Sequence, residues 1–228
     1  MKKIFKNSML VVMGLLFFAC EAEEPEIYSC NPEMDKWAHH NLSDIRNMKR
    51  ADWNNLDEDH KQAAYVAFTQ EQRVLLWLGK IEQVLTLQWS NEEVEHILRL
   101  KDFIISHQNW FNDEILTENQ ENELLLFGYQ WIEKAKELGW AETLPYAIIT
   151  TPNNLIDKEG NIEFTSNNHK RLLSRSESTK KKDCNCHKTI DTCGLEGGTC
   201  DGVDCEEVKK CFILNMLTCN GRCSGILQ

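Results

Sequence analysis

The sequence predicts a mainly α chain in which a helical bundle is followed by a flexible linker and a small disulfide-rich module. Three observations carry this expectation. Between Met34 and Trp140 there is no proline, and glycine occurs only at Gly79, Gly128 and Gly139, so chain breakers are scarce. Within that stretch, Ser or Thr followed three residues later by Glu or Gln repeatedly precedes an apolar run of helical period. Eight of the ten cysteines fall between Cys184 and Cys223, whereas Cys30 is the only one between Ala22 and Asp183.

The first segment, 1–19, reads as a signal peptide. Lys2, Lys3 and Lys6 precede an uncharged apolar run from Met9 to Ala19. That run is too short for a bilayer span, which takes ~20 residues, and suits a signal-peptide core. The pair Ala19-Cys20 closing it resembles a bacterial lipobox, although Phe17 and Phe18 depart from the usual residues of that motif. The resemblance implies that Cys20 is acylated and becomes the first mature residue. The alternatives are plain secretion with cleavage nearby and a transmembrane anchor. The acidic stretch EAEEPE after Cys20, within a tether spanning 20–33, resembles the surface-export signal of some outer-membrane lipoproteins. A solvated tether explains the same composition.

The helical domain spans 34–140. Thr69 to Gln72 opens a helix carrying Val74, Leu75, Trp77, Leu78, Ile81, Val84 and Leu85 on one face. Ser90 to Glu93 opens a second, with Val94, Ile97, Leu98, Leu100, Phe103, Ile104 and Ile105. Thr117 caps a third long helix through Leu138, stopped by Gly139. Shorter helices are expected around Leu42 to Met48 and Asp59 to Phe68. The sum is a bundle of about five helices. All seven tryptophans lie here, and their helical spacing assigns most of them to the core rather than to a binding groove.

The net charge is −11, and removing the three leader lysines leaves −14. Such acidity argues against a nucleic-acid partner, which needs a basic face. No H-E-x-x-H, G-x-S-x-G or glycine-rich phosphate loop occurs, so no enzyme signature is read and no cofactor is implied. His39 and His40 point about 100° apart on a helix, a poor arrangement for one metal ion, and read as surface residues. Glu92, Glu93 and Glu95 suit the helix dipole where they stand and need no catalytic role.

The stretch 141–164 reads as a short β-prone extension. Pro145 and Pro152 flank YAIITT, and Glu159-Gly160-Asn161 turns a small hairpin. A basic, flexible linker follows over 165–183, with a local charge of +4. Exposed lysine-rich segments are where proteases cut, so Lys180, Lys181 and Lys182 are a candidate processing site. The linker equally serves as a spacer.

The last segment, 184–228, contains Cys184, Cys186, Cys193, Cys200, Cys205, Cys211, Cys219 and Cys223. In an exported protein these read as four disulfides, because a core that small needs staples. Eight cysteines allow about a hundred pairings, and the sequence does not choose among them. Cys184 and Cys186 are too close to pair with each other. Cys184, Cys186 and His187 compete as metal ligands, but paired C-x-x-C knuckles are missing, so no metal site is assigned. With Cys20 acylated, Cys30 is free or pairs between chains. Val208, Phe212 and Met216, four apart, suggest one short helix within Cys205 to Cys219. Its apolar run, Phe212 to Leu214 with Met216 and Leu217, is assigned to core packing, with an exposed partner- or membrane-binding surface as the alternative.

The lipobox-like leader, the helical stretch FTQEQRVLLWLGKIEQVL…WSNEEVEHILRLKDFI and the eight-cysteine tail together resemble the bacteriocin fulvocin C-related proteins. The tail is similar to a small disulfide-rich bacteriocin, and only the cysteine framework carries over residue by residue. The resemblance implies an exported, lipid-anchored antibacterial precursor of the outer membrane or cell surface, whose module is freed by cleavage and meets a target-cell component. A second class stays open: a surface-binding or structural lipoprotein with a stapled recognition head and no toxicity.

Overall fold

The computed structural model describes residues 26–29, 31–163, 199–202, 210–211, 213–218 and 221–224. The expected leader, the acylated Cys20, Cys30, the basic linker with Lys180 to Lys182, and Cys184, Cys186, Cys193, Cys205 and Cys219 lie outside these residues.

Eight α-helices occur among the described residues: α1 Pro32–His40, α2 Leu42–Ile45, α3 Arg50–Asn54, α4 Glu58–Ala67, α5 Gln70–Val84, α6 Asn91–Ser106, α7 Glu118–Glu137 and α8 Thr143–Ile149. Three more than expected are present, because α1, α3 and α8 are short and lack the long apolar stripe that marks a helix in sequence. None is long and apolar enough to cross a membrane.

The starts of the long helices are set locally. Thr69 and Gln72, Ser90 and Glu93, and Thr117 and Gln120 each form a reciprocal capping box, in which the hydroxyl accepts a backbone N–H and the Gln or Glu side chain accepts the cap's own N–H. Asp57 caps α4 by accepting from the His60 N–H at 3.1 Å. At the end of α7, Gly139 adopts φ 76, which lets the Trp140 N–H reach the Ala135 carbonyl at 3.1 Å and the Gly139 N–H reach that of Lys136 at 2.9 Å. This pair of bonds satisfies carbonyls that a helix end leaves open.

The helices close around one core. α5 packs on α6 and on the 3-10 turn Gln108–Phe111, α1 on α4, α6 on α7, and α7 on α8. Trp53, Trp77, Trp110, Trp131 and Trp140 are buried, and Trp37 and Trp89 are half-buried. The tryptophans therefore pack the core as the spacing indicated, and two of the buried indoles donate to carbonyls: Trp53 to that of Lys61 at 3.0 Å and Trp131 to that of His96 at 3.1 Å.

The β-prone reading of YAIITT is corrected. Residues 143–149 form α8, whose Leu144, Pro145, Ile148 and Ile149 are buried. Pro145 sits in the first turn, where its missing N–H costs no helix bond, and burial of both isoleucines outweighs their strand preference. The hairpin after it forms as expected. Leu155 bridges Ile162, the Ile156 N–H donates to Asn161 at 2.7 Å, and the Glu163 N–H donates to Asn154 at 2.8 Å. Gly160 turns it at φ 89, and a Cβ there would lie 2.8 Å from the Thr143 backbone.

In the C-terminal segment, β1 Thr199–Gly202 pairs antiparallel with β4 Gly221–Ser224, and β2 Lys210–Cys211 pairs antiparallel with β3 Leu217–Thr218. The short helix expected within Cys205 to Cys219 is therefore corrected to a hairpin. Between β2 and β3 the chain makes a 3-10 turn, Ile213–Asn215. Leu214 and Asn215 both have φ 52, and the Met216 N–H closes on the Ile213 carbonyl at 3.0 Å. Two consecutive left-handed residues resemble a type I′ turn, a geometry that suits hairpins. The fold-back buries Ile213, Leu214, Met216 and Leu217 together.

Candidate functional site

The structure places that turn on the helical domain. Ile213, Leu214, Met216 and Leu217 are each no more than 1% exposed, and the turn packs on α7. Gly128, in the interior of α7, makes this approach possible. A Cβ at Gly128 would overlap Ile213 Cδ1 and stand 3.2 Å from its Cγ1. Glycine inside a helix is destabilising by ~0.5–1 kcal/mol relative to alanine, and close packing is the usual reason for it.

Tyr65 of α4 reaches the same turn from the other side. Its hydroxyl donates to the Leu214 carbonyl at 3.4 Å and accepts from Trp77 Nε1 of α5 at 3.2 Å. Burial pushes the Tyr65 hydroxyl up to about 12, against the opposing charge of Arg73. It therefore stays a neutral donor across the physiological range. Gly128 of α7 and Tyr65 of α4, the latter held by Trp77 of α5, thus form a seat for the C-terminal turn. The sequence assigned this apolar run to core packing, and it does pack, though against the helical domain.

A second cluster is polar and buried. Lys80 of α5 is fully buried, and its amine donates to the Asn153 carbonyl. Lys61 donates to Glu58 at 2.9 Å and to Asn153 Oδ1 at 3.0 Å. Asn153 Nδ2 donates to Glu58 at 3.2 Å, and Arg50 donates to Asn154 Oδ1 at 2.7 Å. Burial, followed by the nearby charge of Arg50, lowers the Lys80 amine to about 7. A near-neutral amine is a nucleophile elsewhere, but here it is enclosed and engaged by a carbonyl. The cluster fastens the loop between α8 and the hairpin onto α3, α4 and α5. Arg73 is bonded in the same manner, to the carbonyls of Tyr65 at 3.1 Å, Val66 at 2.5 Å and Phe111 at 3.0 Å, and to Asp113 at 2.6 Å.

A third cluster surrounds His96. Its ring stacks on Trp131 and meets Trp140 edge-on. Burial is the main cause that lowers it to about 4. Nearby, Glu93 accepts from Trp140 Nε1 at 2.9 Å and from Lys158 at 2.8 Å, and Lys158 lies 4.4 Å from the centre of a Trp89 ring.

Of the residues the sequence singled out, Cys200, Cys211 and Cys223 are described through their backbones: Cys200 faces Cys223 across β1 and β4, and Cys211 faces Leu217. His39 and His40 are exposed. The sequence reading missed His96, Lys80, Asn153 and the Gly128 seat. Gly128 carried a signal, since it is the only glycine inside α7, the longest helix among the described residues. Among the described residues no group of three His, Cys, Asp or Glu side chains is placed to hold a metal ion.

No protein-family model matches this chain, and neither a curated protein nor a solved structure is significantly similar to it.

Proposed function

We propose that the chain is an exported, lipid-anchored, bacteriocin-like protein without catalytic activity of its own. In this reading acylated Cys20 tethers it to the outer membrane or cell surface. Four disulfides staple 184–228, and a cut near Lys180 to Lys182 frees that module to act on other bacteria. The observation that most supports the reading is the burial of Ile213, Leu214, Met216 and Leu217 against the helical domain. An effector that acts through an apolar turn needs that turn covered before release, because exposed apolar surface invites unwanted association.

The same burial also favours a second reading. If the linker is never cut, the apolar turn is consumed inside the protein, and the module is a recognition head presenting its other surface. Mass spectrometry of the native protein separates the two. The effector reading expects acylation at Cys20, a fragment beginning near Asp183 in the medium, and growth inhibition by that oxidised fragment. An intact, cell-bound chain, with a fragment that inhibits nothing across a broad bacterial panel, rejects it in favour of the head.

A further inference from the structure

We propose that the helical domain is a receptor for the module's apolar turn, which it holds non-covalently after the linker is cut. Cleavage then yields a two-chain complex rather than a free module. The inference rests on the reading that 165–183 is a cleavable linker, but not on toxicity.

Two residues of the helical domain and one of the turn fit each other. Gly128 removes the one side chain that would block Ile213, at a cost to α7 that its own fold gives no reason to bear. Tyr65, held by Trp77, presents its hydroxyl to the Leu214 carbonyl, a backbone group that needs a donor once buried. Leu214 accepts a left-handed conformation, unfavourable for a residue with a Cβ, and that conformation brings Ile213 and Met216 to the same surface. These contacts join residues 85 or more positions apart, so an intact linker is not needed to define them. Once cut, the module leaves only when something else covers Ile213, Leu214, Met216 and Leu217.

The test uses the mature chain, 20–228, oxidised, with Cys20→Ser and Cys30→Ser to exclude a covalent link through either residue. A site-specific protease sequence replaces Lys180 to Lys182. After complete cleavage, gel filtration under non-denaturing conditions is expected to return one peak containing both fragments. Gly128→Leu is expected to split that peak in two. Leucine raises helix propensity at the site, so the bundle's far-UV dichroism is retained. Ile213→Ser, with its disulfides confirmed by mass, is expected to split the peak in the same way from the module's side. Two peaks from the unsubstituted cleaved protein overturn the proposal, as does co-elution that survives both substitutions. Growth inhibition by the isolated module is a separate readout. Its absence counts against the effector reading and leaves the co-elution result standing.

Discussion

His96 stacks on Trp131 with ring centroids 4.6 Å apart and 17° between the planes, and neither of its ring nitrogens has a hydrogen-bond partner. Arg99 on the same helix and Lys134 on α7 add repulsion to the burial that already disfavours the imidazolium. Glu93, one turn earlier on α6, is engaged by Trp140 and Lys158. The folded protein thus keeps His96 neutral to about 4, whereas the unfolded chain takes up a proton near 6.5. Between these values the unfolded state binds more protons, so stability falls as pH drops. His96→Phe keeps a stackable ring and removes the titration. It is expected to flatten urea midpoints across this window and to exceed the wild type at pH 5. An unchanged slope in the variant refutes the assignment.

Glu93 produces a second, lower window of opposite chemistry. Burial opposes its ionisation, but the hydrogen bonds from Lys158 and from the Ser90 N–H outweigh burial and hold it at about 2, below its ordinary 4.5. A depressed carboxylate contributes stability that is complete above the unfolded value and is lost as pH falls from about 4.5 to 2. Glu93→Gln keeps an acceptor for the Ser90 N–H but does not titrate. Acid titration is therefore expected to show a smaller loss below about 4.5 in Glu93→Gln than in the wild type, with the remainder due to Asp57 and Asp157, which are also held below their ordinary values.

What was legible in the sequence was local. The capping boxes at Thr69, Ser90 and Thr117 and the stop at Gly139 use groups within a few residues, and all four lie where the sequence put them. The hairpin around Gly160 is local too. α8 was missed because its β-branched residues favour strand until burial is counted. The C-terminal turn was missed because Leu214 and Asn215 are not the glycines that usually announce φ > 0. The buried cations were invisible for another reason. Lys80 finds its acceptor, and Lys61 one of its two, on Asn153, far along the chain, and an amine without that acceptor reads as surface.

Asn153 is a single point on which two buried ammonium groups depend. Asn153→Ala keeps the carbonyl for Lys80 but removes the Oδ1 acceptor of Lys61 and the amide that donates to Glu58. Leaving a buried charge short of one partner costs ~1–3 kcal/mol. The expected result is a loss of that size in chemical denaturation, with helical dichroism retained. Asn153→Asp restores an acceptor and is expected to recover part of it. An alanine variant as stable as the wild type means that Glu58 alone suffices for Lys61.

Lys80 makes stability rise on the alkaline side. Its folded value of about 7 lies below the ordinary 10.5, so the folded protein releases this proton first. From about 7 to 10.5 the unfolded chain holds the extra proton, and raising pH therefore stabilises the fold. Tyr65 acts in reverse above 10, because its hydroxyl ionises first in the unfolded chain and stability then falls toward 12. Lys80→Met fills similar volume without titrating, and its denaturation midpoints are expected to lose the rise between pH 7 and 10. A rise of equal slope in Lys80→Met assigns it to some other group.

Cys200 and Cys223 occupy directly opposed positions of β1 and β4. Opposed residues of antiparallel strands have Cα atoms ~4.5–5.5 Å apart, inside the ~4.4–6.8 Å that a disulfide bridges. Under oxidising conditions we expect these two to be linked, each thiol giving up a proton and one electron to a disulfide-exchange partner. One fixed pair reduces the possible connectivities from about a hundred to about fifteen. Non-reducing peptide mapping of the oxidised protein is expected to recover the segments around Cys200 and Cys223 as one species that separates on reduction. The double substitution of both cysteines by serine is expected to cost ~2–5 kcal/mol, as is typical of a disulfide in a small exported domain. Recovery of Cys200 joined to any other cysteine excludes the pair.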